Sequence, residues 1–251
     1  MLKARIAVLA AKSEGSYGVD PTLTGAANAI LAQNIRFKPL AQAHDERLPA
    51  MPWFGNKNKV VVAGWHEISF EVEIGGQGAA GLAAGTAPNW GCLHKACAMS
   101  ETLNAATNAI YAPVSTAESS AYLKFFINGK VHIAAGCMGN VVASFVKGKR
   151  PVWQYRFIGL YVIPADSAIL TPTLTGFQTP LAMNNANTTP LTLYTYAAKV
   201  SQLTFDCGAK PVYRNVPNSE AIRIIDRKTV GSVKFESELV ATKDWYTAMR
   251  A

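Results

Sequence analysis

The sequence predicts a mainly β fold: a sandwich or barrel-forming sheet, one flanking short α-helix, and a partial C-terminal duplication. Three observations carry that prediction. The run HEISFEVEI at 66–74 alternates apolar and polar residues, the period of a half-buried strand. The stretch YLKFFINGKVHI at 122–133 sets Asn128 and Gly129 between two apolar runs, a two-residue turn whose twist suits a hairpin. Near the C-terminus, SVKFESE at 232–238 followed by TKDWYTAM at 242–249 repeats the order of a strand and then a Trp-bearing helix.

Residues 1–29 contain Gly15, Gly18, Pro21 and Gly25 and read as an N-terminal arm. The opening residues imitate a signal peptide. Their apolar run at 6–11 is shorter than such a peptide's core, and Lys12, Ser13 and Glu14 stand where small residues should mark cleavage. A β domain is expected over 30–165. Its first strand covers 29–39, with Ile30, Ile35 and Phe37 as apolar residues. A long irregular loop over 41–59 follows, punctuated by Pro49, Pro52 and Gly55. Trp53 and Phe54 lie in its middle, and either anchor on a neighbour or fold back onto their own domain.

The strand at 60–74 puts Ile68, Phe70, Val72 and Ile74 on one face and Glu67, Ser69, Glu71 and Glu73 on the other. Residues two apart on a strand are about 7 Å apart, so the three carboxylates read as a water-facing stripe before a metal or acid–base site. A Gly/Ala-rich link at 75–85 leads to a helix at 90–97, capped from Thr86 or Asn89, with Leu93, Ala96 and Cys97 as its buried stripe. Two hairpins follow, 121–127 with 130–135 and 140–146 with 152–163. In the last strand both faces are apolar, as in a strand enclosed on two sides. Residues 166–251 read as a linker, a C-terminal β segment and a terminal helix. Within them PTLTG at 172–176 repeats 21–25 letter for letter, the basis of the duplication.

A composition 49% hydrophobic and 16% charged excludes wholesale disorder. It also leaves little charge for a free surface, so either other subunits cover part of it or Ala, Ser, Thr and Asn do. The net charge of +8 invites a nucleic-acid reading, yet the basic residues are scattered and lack interleaved aromatics. No stretch is long enough to cross a bilayer as a helix, and a cytoplasmic product is expected. Cys92 and Cys97, five apart on a helix, face different ways, and no paired zinc spacing exists; free thiols are expected. The four histidines, His44, His66, His94 and His132, each stand alone. Nucleophile, zinc-protease and nucleotide-loop motifs are absent. An enzyme is therefore disfavoured, with no cofactor and no metal. A hydrolase would need one His to converge with a Ser, Cys or carboxylate.

In order and texture, the loop before Val60, the strand 66–74, the helix at 90–98 and the double hairpin 122–133 and 140–162 resemble the tail tube (major tail) proteins of long-tailed, siphovirus-like bacteriophages. The resemblance implies a virion component made in the host cytoplasm. Copies of it would form stacked hexameric or trimeric pseudo-hexameric rings, and the tube would conduct double-stranded DNA during ejection. The trimer follows if the partial repeat lets one chain fill two ring positions. It further implies tape measure, tail terminator and distal tail proteins as partners, and no membrane. Asp45, Trp53 and Phe54 become inter-ring contacts. Tyr122, Lys124, Phe126, Lys130, His132, Gln154 and Arg156 become the barrel wall, paired between subunits. Glu67, Glu71 and Glu73 become candidates for the channel face. The rival expectation, drawn from the charge, is a nucleic-acid-binding β-barrel.

Overall fold

The computed structural model describes residues 6–75 and 85–250. Along them run β1 (Ala7–Ser13), α1 (Gly25–Asn28), β2 (Ala29–Ile30), β3 (Ala32–Glu46), β4 (Lys59–Glu73), α2 (Gly91–Lys95), β5 (Met99–Asn104) and β6 (Asn108–Pro113). After these come β7 (Ala121–Ile127), β8 (Lys130–Val146), β9 (Val152–Asp166), β10 (Val200–Asp206), β11 (Ala209–Val216), β12 (Ser219–Arg227), β13 (Val230–Phe235) and α3 (Trp245–Ala248). The mainly β fold expected from the alternation is what forms.

Nine of the strands make one antiparallel sheet, ordered β2-β1-β7-β8-β9-β4-β3, with β10 also on β8 and β13 on β10. β2 and β3 stand at opposite borders, yet only Leu31 separates them in the chain. The sheet must therefore bend until its borders meet. Phe37 of β3 accordingly touches Phe125 of β7, ring centroids 5.7 Å apart. The concave face encloses the main core: Leu9 and Ala11, Ile68, Phe70 and Val72, Leu123, Val141, Tyr155 and Phe157. α2 closes one end, with Leu93, Ala96 and Cys97 fully buried as its apolar stripe requires.

The convex face is partly covered by the β11–β12 hairpin, which buries Ile222 completely. Tyr17 ties that hairpin down, its hydroxyl accepting the Ile222 N–H at 2.6 Å. β9 is covered on its second side only in part: Tyr155 and Phe157 are buried, but Gln154, Arg156, Tyr161 and Ile163 stay exposed, so the enclosure on two sides expected from its apolar faces does not form. Gly136 lets the long β8 bend: its φ is +57°, and a Cβ there would sit 2.6 Å from the Tyr17 ring.

Several boundaries move. Residues 7–13 are an interior strand, not part of an arm; the apolar run that imitates a signal peptide is buried at Leu9, Ala10 and Ala11. The loop expected over 41–59 is ladder as far as Glu46 and again from Lys59, because Pro39 sits in a border strand where a missing N–H costs little. The two hairpin strands 130–135 and 140–146 are the single strand β8. α2 begins after Trp90, with no side-chain cap; Gly91 instead donates its N–H to the Pro88 carbonyl at 2.7 Å. The link at 75–85 falls almost wholly outside the described residues.

The repeat holds only in outline: a strand and then a helix led by a Trp recur as β4 with α2 and β13 with α3, but the matched segments differ in detail. Thr24 caps α1 by accepting the Ala27 N–H, whereas 172–176 forms no helix. Phe70 to Glu73 lie within β4, but of the matching run only Phe235 is in β13. The two pentapeptides instead touch: Thr173 N–H donates to the Gly25 carbonyl at 3.1 Å.

Candidate functional site

Beyond Ala41 the β3–β4 hairpin leaves the body. Every residue from Gln42 to Val62 is exposed. Its ladder continues nonetheless, through Ala43 opposite Ala63, His44 opposite Val61, Asp45 opposite Val60 and Glu46 opposite Lys59. The last pair is also an ion pair at 2.5 Å. Five paired residues past Ala41 carry the tip about 17 Å outward.

This arm is apolar where water reaches it. Val60, Val61 and Val62 are consecutive, so they point to alternate faces, and all three are about half exposed or more. At the tip Leu48 and Trp53 are 73% and 68% exposed, and Phe54 is fully so. Trp53 and Phe54 therefore do not fold back onto their own domain. Asp45, Trp53 and Phe54, named from sequence as one contact surface, share this arm. The signal for its ladder was present in Val60 to Val62, hidden by the prolines nearby.

The residues named for strand pairing between subunits sit elsewhere. β7 is flanked by β1 and β8, β8 by β9 and in turn by β7 and β10, and β9 by β8 and β4, so Lys124, Lys130, His132, Gln154 and Arg156 pair within the chain. Tyr122 and Phe126 are buried in a second apolar cluster with Ala10 and Leu23. The border strands of the main sheet are β2, β3 and β13; β2 is only two residues long, so most of β3 and all of β13 have one edge with no ladder partner among the described residues.

Glu67, Glu71 and Glu73 lie on the convex face, each engaged. Glu71 accepts from Asn34 at 2.7 Å and Gln154 at 3.1 Å; Glu73 accepts from Gln33 at 2.7 Å and pairs with Arg150 at 2.7 Å; Glu67 accepts from the Trp65 indole. They alternate with Arg36, Lys38 and Arg156, the first and last flanking Ser69 in one cross-strand row. The stripe is a mixed-charge surface, not an acidic one.

The closest approach to a catalytic grouping surrounds α2. The Tyr155 hydroxyl and Nδ1 of His94 share a hydrogen bond at 2.8 Å, and the Tyr111 hydroxyl donates to Glu101 at 3.3 Å. Burial pushes the His94 pKa down to about 3, which keeps the ring neutral, and pushes the Cys92 thiol up to about 12. The crevice beside it, lined by Asn89, Trp90, Gly176 and Phe177, offers about 10 Å³, room for one water at most. His66 and His132, expected to stand alone, flank Phe37 with centroids 5.3 and 4.9 Å away. No Ser, Cys or carboxylate hydrogen-bonds either ring among the described residues. All four cysteines are free thiols. No group of three or more His, Cys, Asp or Glu that could hold a metal occurs among the described residues. No helix among them is long and apolar enough to cross a membrane.

No protein-family model matches this chain, and no curated protein matches it.

Proposed function

We propose that this protein is a structural component that assembles with copies of itself into stacked rings, the tail tube of a bacteriophage, through which DNA passes. One observation supports the reading above the others: an arm whose residues from Gln42 to Val62 are all exposed, apolar at its tip and on both faces. A two-stranded hairpin is marginal in water by itself. Valines on both faces suit a strand covered from two sides. The open borders of β3 and β13 add unpaired backbone groups that a neighbouring chain can complete.

Electron microscopy and sedimentation of the purified protein over a range of concentrations test the reading. Rings or tubes are the expected outcome, lost when 47–58 is replaced by a short Gly-Ser turn. A monomer under every condition, with or without tail partners, sinks it.

A second reading, nucleic-acid binding, is favoured by Arg36, Lys38 and Arg156, which share the convex face and form no ion pair among those found. It expects DNA affinity that falls steeply with salt. A flat salt response disposes of it.

A further inference from the structure

We infer that the seam where the curled sheet closes is a proton-operated latch: His66 and His132, both neutral, hold Phe37 against Phe125, and their protonation frees the border strand β3 that carries the arm. The latch acts within one chain and is independent of the self-assembly reading. Phe37 of β3 reaches Phe125 of β7 at 5.7 Å, and the rings beside it are His66 of β4 at 5.3 Å and His132 of β8 at 4.9 Å. The only ladder partner of β3 among the described residues is β4. Side-chain packing of this kind, not backbone pairing, therefore ties β3 to the far side of the sheet. From Phe37 the same strand runs on past Ala41 into the exposed arm.

The seam is poorly furnished for positive charge. Nδ1 of His66 and Nδ1 of His132 are both buried and meet no hydrogen-bond partner. Nε2 of His66 has only the backbone of Val162, at 3.4 Å. Burial lowers the pKa of His66, outweighing the nearby carbonyls of Val162, Pro39 and Ile133, and His132 adds repulsion. Burial lowers His132 as well, and Lys130 on its own strand repels a second cation. From β9 the His66 ring meets Tyr161 at 5.0 Å, while Asp166 stands opposite Lys130. β7 contributes Phe125, and its Lys124 is paired with Asp20. Arg36 and Lys38 of β3 and Glu67 of β4 belong to the convex face. No carboxylate forms an ion pair with either imidazole among the described residues. Two protons would thus set like charges around one apolar ring, where little water screens them. Both rings titrate below the ordinary 6.5 while the seam is closed, so closure is favoured in full above about pH 6.5 and weakens as pH falls. The ratio of open to closed seam should rise by up to about tenfold per pH unit for each histidine.

Nuclear magnetic resonance of the full chain between about pH 7.5 and pH 5 provides the test, a range in which His94, at about 3, stays neutral. The ring-to-ring Overhauser contact of Phe37 with Phe125 should fade as the His66 and His132 ring signals titrate. The contact of Phe70 with Phe157, 5.9 Å apart in the core, should persist throughout. His132→Gln, at a half-buried position, should keep the fold and reduce the dependence from two protons to one. Replacing both histidines with Gln should leave the seam indifferent to pH; if that chain does not fold, the single variant decides. A Phe37–Phe125 contact intact at pH 5, whether or not the rings have protonated, overturns the latch. So does loss of both aromatic contacts together, which would mark global unfolding, or an unchanged two-proton response in His132→Gln.

Discussion

Glu14 holds Gly136: its carboxylate accepts the Gly136 N–H at 2.7 Å, exactly where β8 turns through a left-handed residue. The same carboxylate takes the Ser120 hydroxyl and the Gly18 N–H, the latter at 2.9 Å. One side chain thereby joins the end of β1 to two distant strands. Replacing Glu14 with Ala should cost about 1–3 kcal/mol, because a backbone N–H at the bend loses its acceptor. Gly136→Ala should cost a similar amount by a different route, since it combines an unfavourable φ with a clash against Tyr17. Urea unfolding curves measure both. A change under 0.5 kcal/mol for either would show that the bend does not depend on that residue.

Tyr17→Phe removes the only side-chain partner found for the Ile222 backbone N–H. Hydrogen exchange at Ile222 should accelerate while exchange in β4 and β9 stays as before, because β11 and β12 pair with each other and lie outside the main sheet. Uniform acceleration would mean that the hairpin and the sheet open together.

Stability should fall with acid through His94. Burial lowers its pKa from 6.5 to about 3, so the unfolded chain takes up a proton that the folded one refuses. The contribution is whole above about pH 6.5 and is lost progressively as pH falls toward 3, by about 1.4 kcal/mol per pH unit. Burial also lowers His66 and His132, which adds loss of the same sign. Denaturation midpoints of the parent chain and of His94→Gln across pH 4–8 check this. An equal slope in the two would acquit His94.

All four thiols should resist alkylation in the folded protein. Burial raises Cys92 to about 12 and Cys207 to about 11, and holds Cys97 and Cys137 well above the ordinary range. Mass spectrometry after iodoacetamide at pH 8 should find little label before denaturation and four after it. Rapid native labelling of Cys97 or Cys137 would contradict the packing.

Substitutions on the arm separate folding from association. Val61→Asp faces solvent in the isolated chain, so its unfolding free energy should change by no more than about 0.5 kcal/mol. Assembly should nonetheless be lost, because a charge would enter the covered face. Light scattering beside a melting curve reads both effects. A large drop in melting temperature would mean that the arm belongs to the core.

The features visible in the sequence were those with a local cause. The alternation at 66–74 became β4, Asn128 and Gly129 made the turn between β7 and β8, and Leu93, Ala96 and Cys97 became the buried side of α2. What escaped depends on partners far along the chain. Ala7 to Ala11 reads as a plain apolar run because its two faces pack into two different clusters, Leu9 and Ala11 in one and Ala10 in the other, and the partners β2 and β7 leave no local period to announce it. The 99–113 hairpin and β10 to β12 went unmarked because most of their residues are exposed or only half-buried, which leaves little apolar alternation to read. The contact surface was half legible. Trp53 and Phe54 stood out by type, whereas the engaged state of Glu71 and Glu73 depends on amides of β3 and β9.

β1 lies beside β7, with Ala7 opposite Ile127 and Ser13 opposite Ala121. A ribosome must therefore add more than a hundred further residues before the β7 edge of β1 is filled; until then only the two residues of β2 can pair with it. Such distant pairing slows the search for the native state.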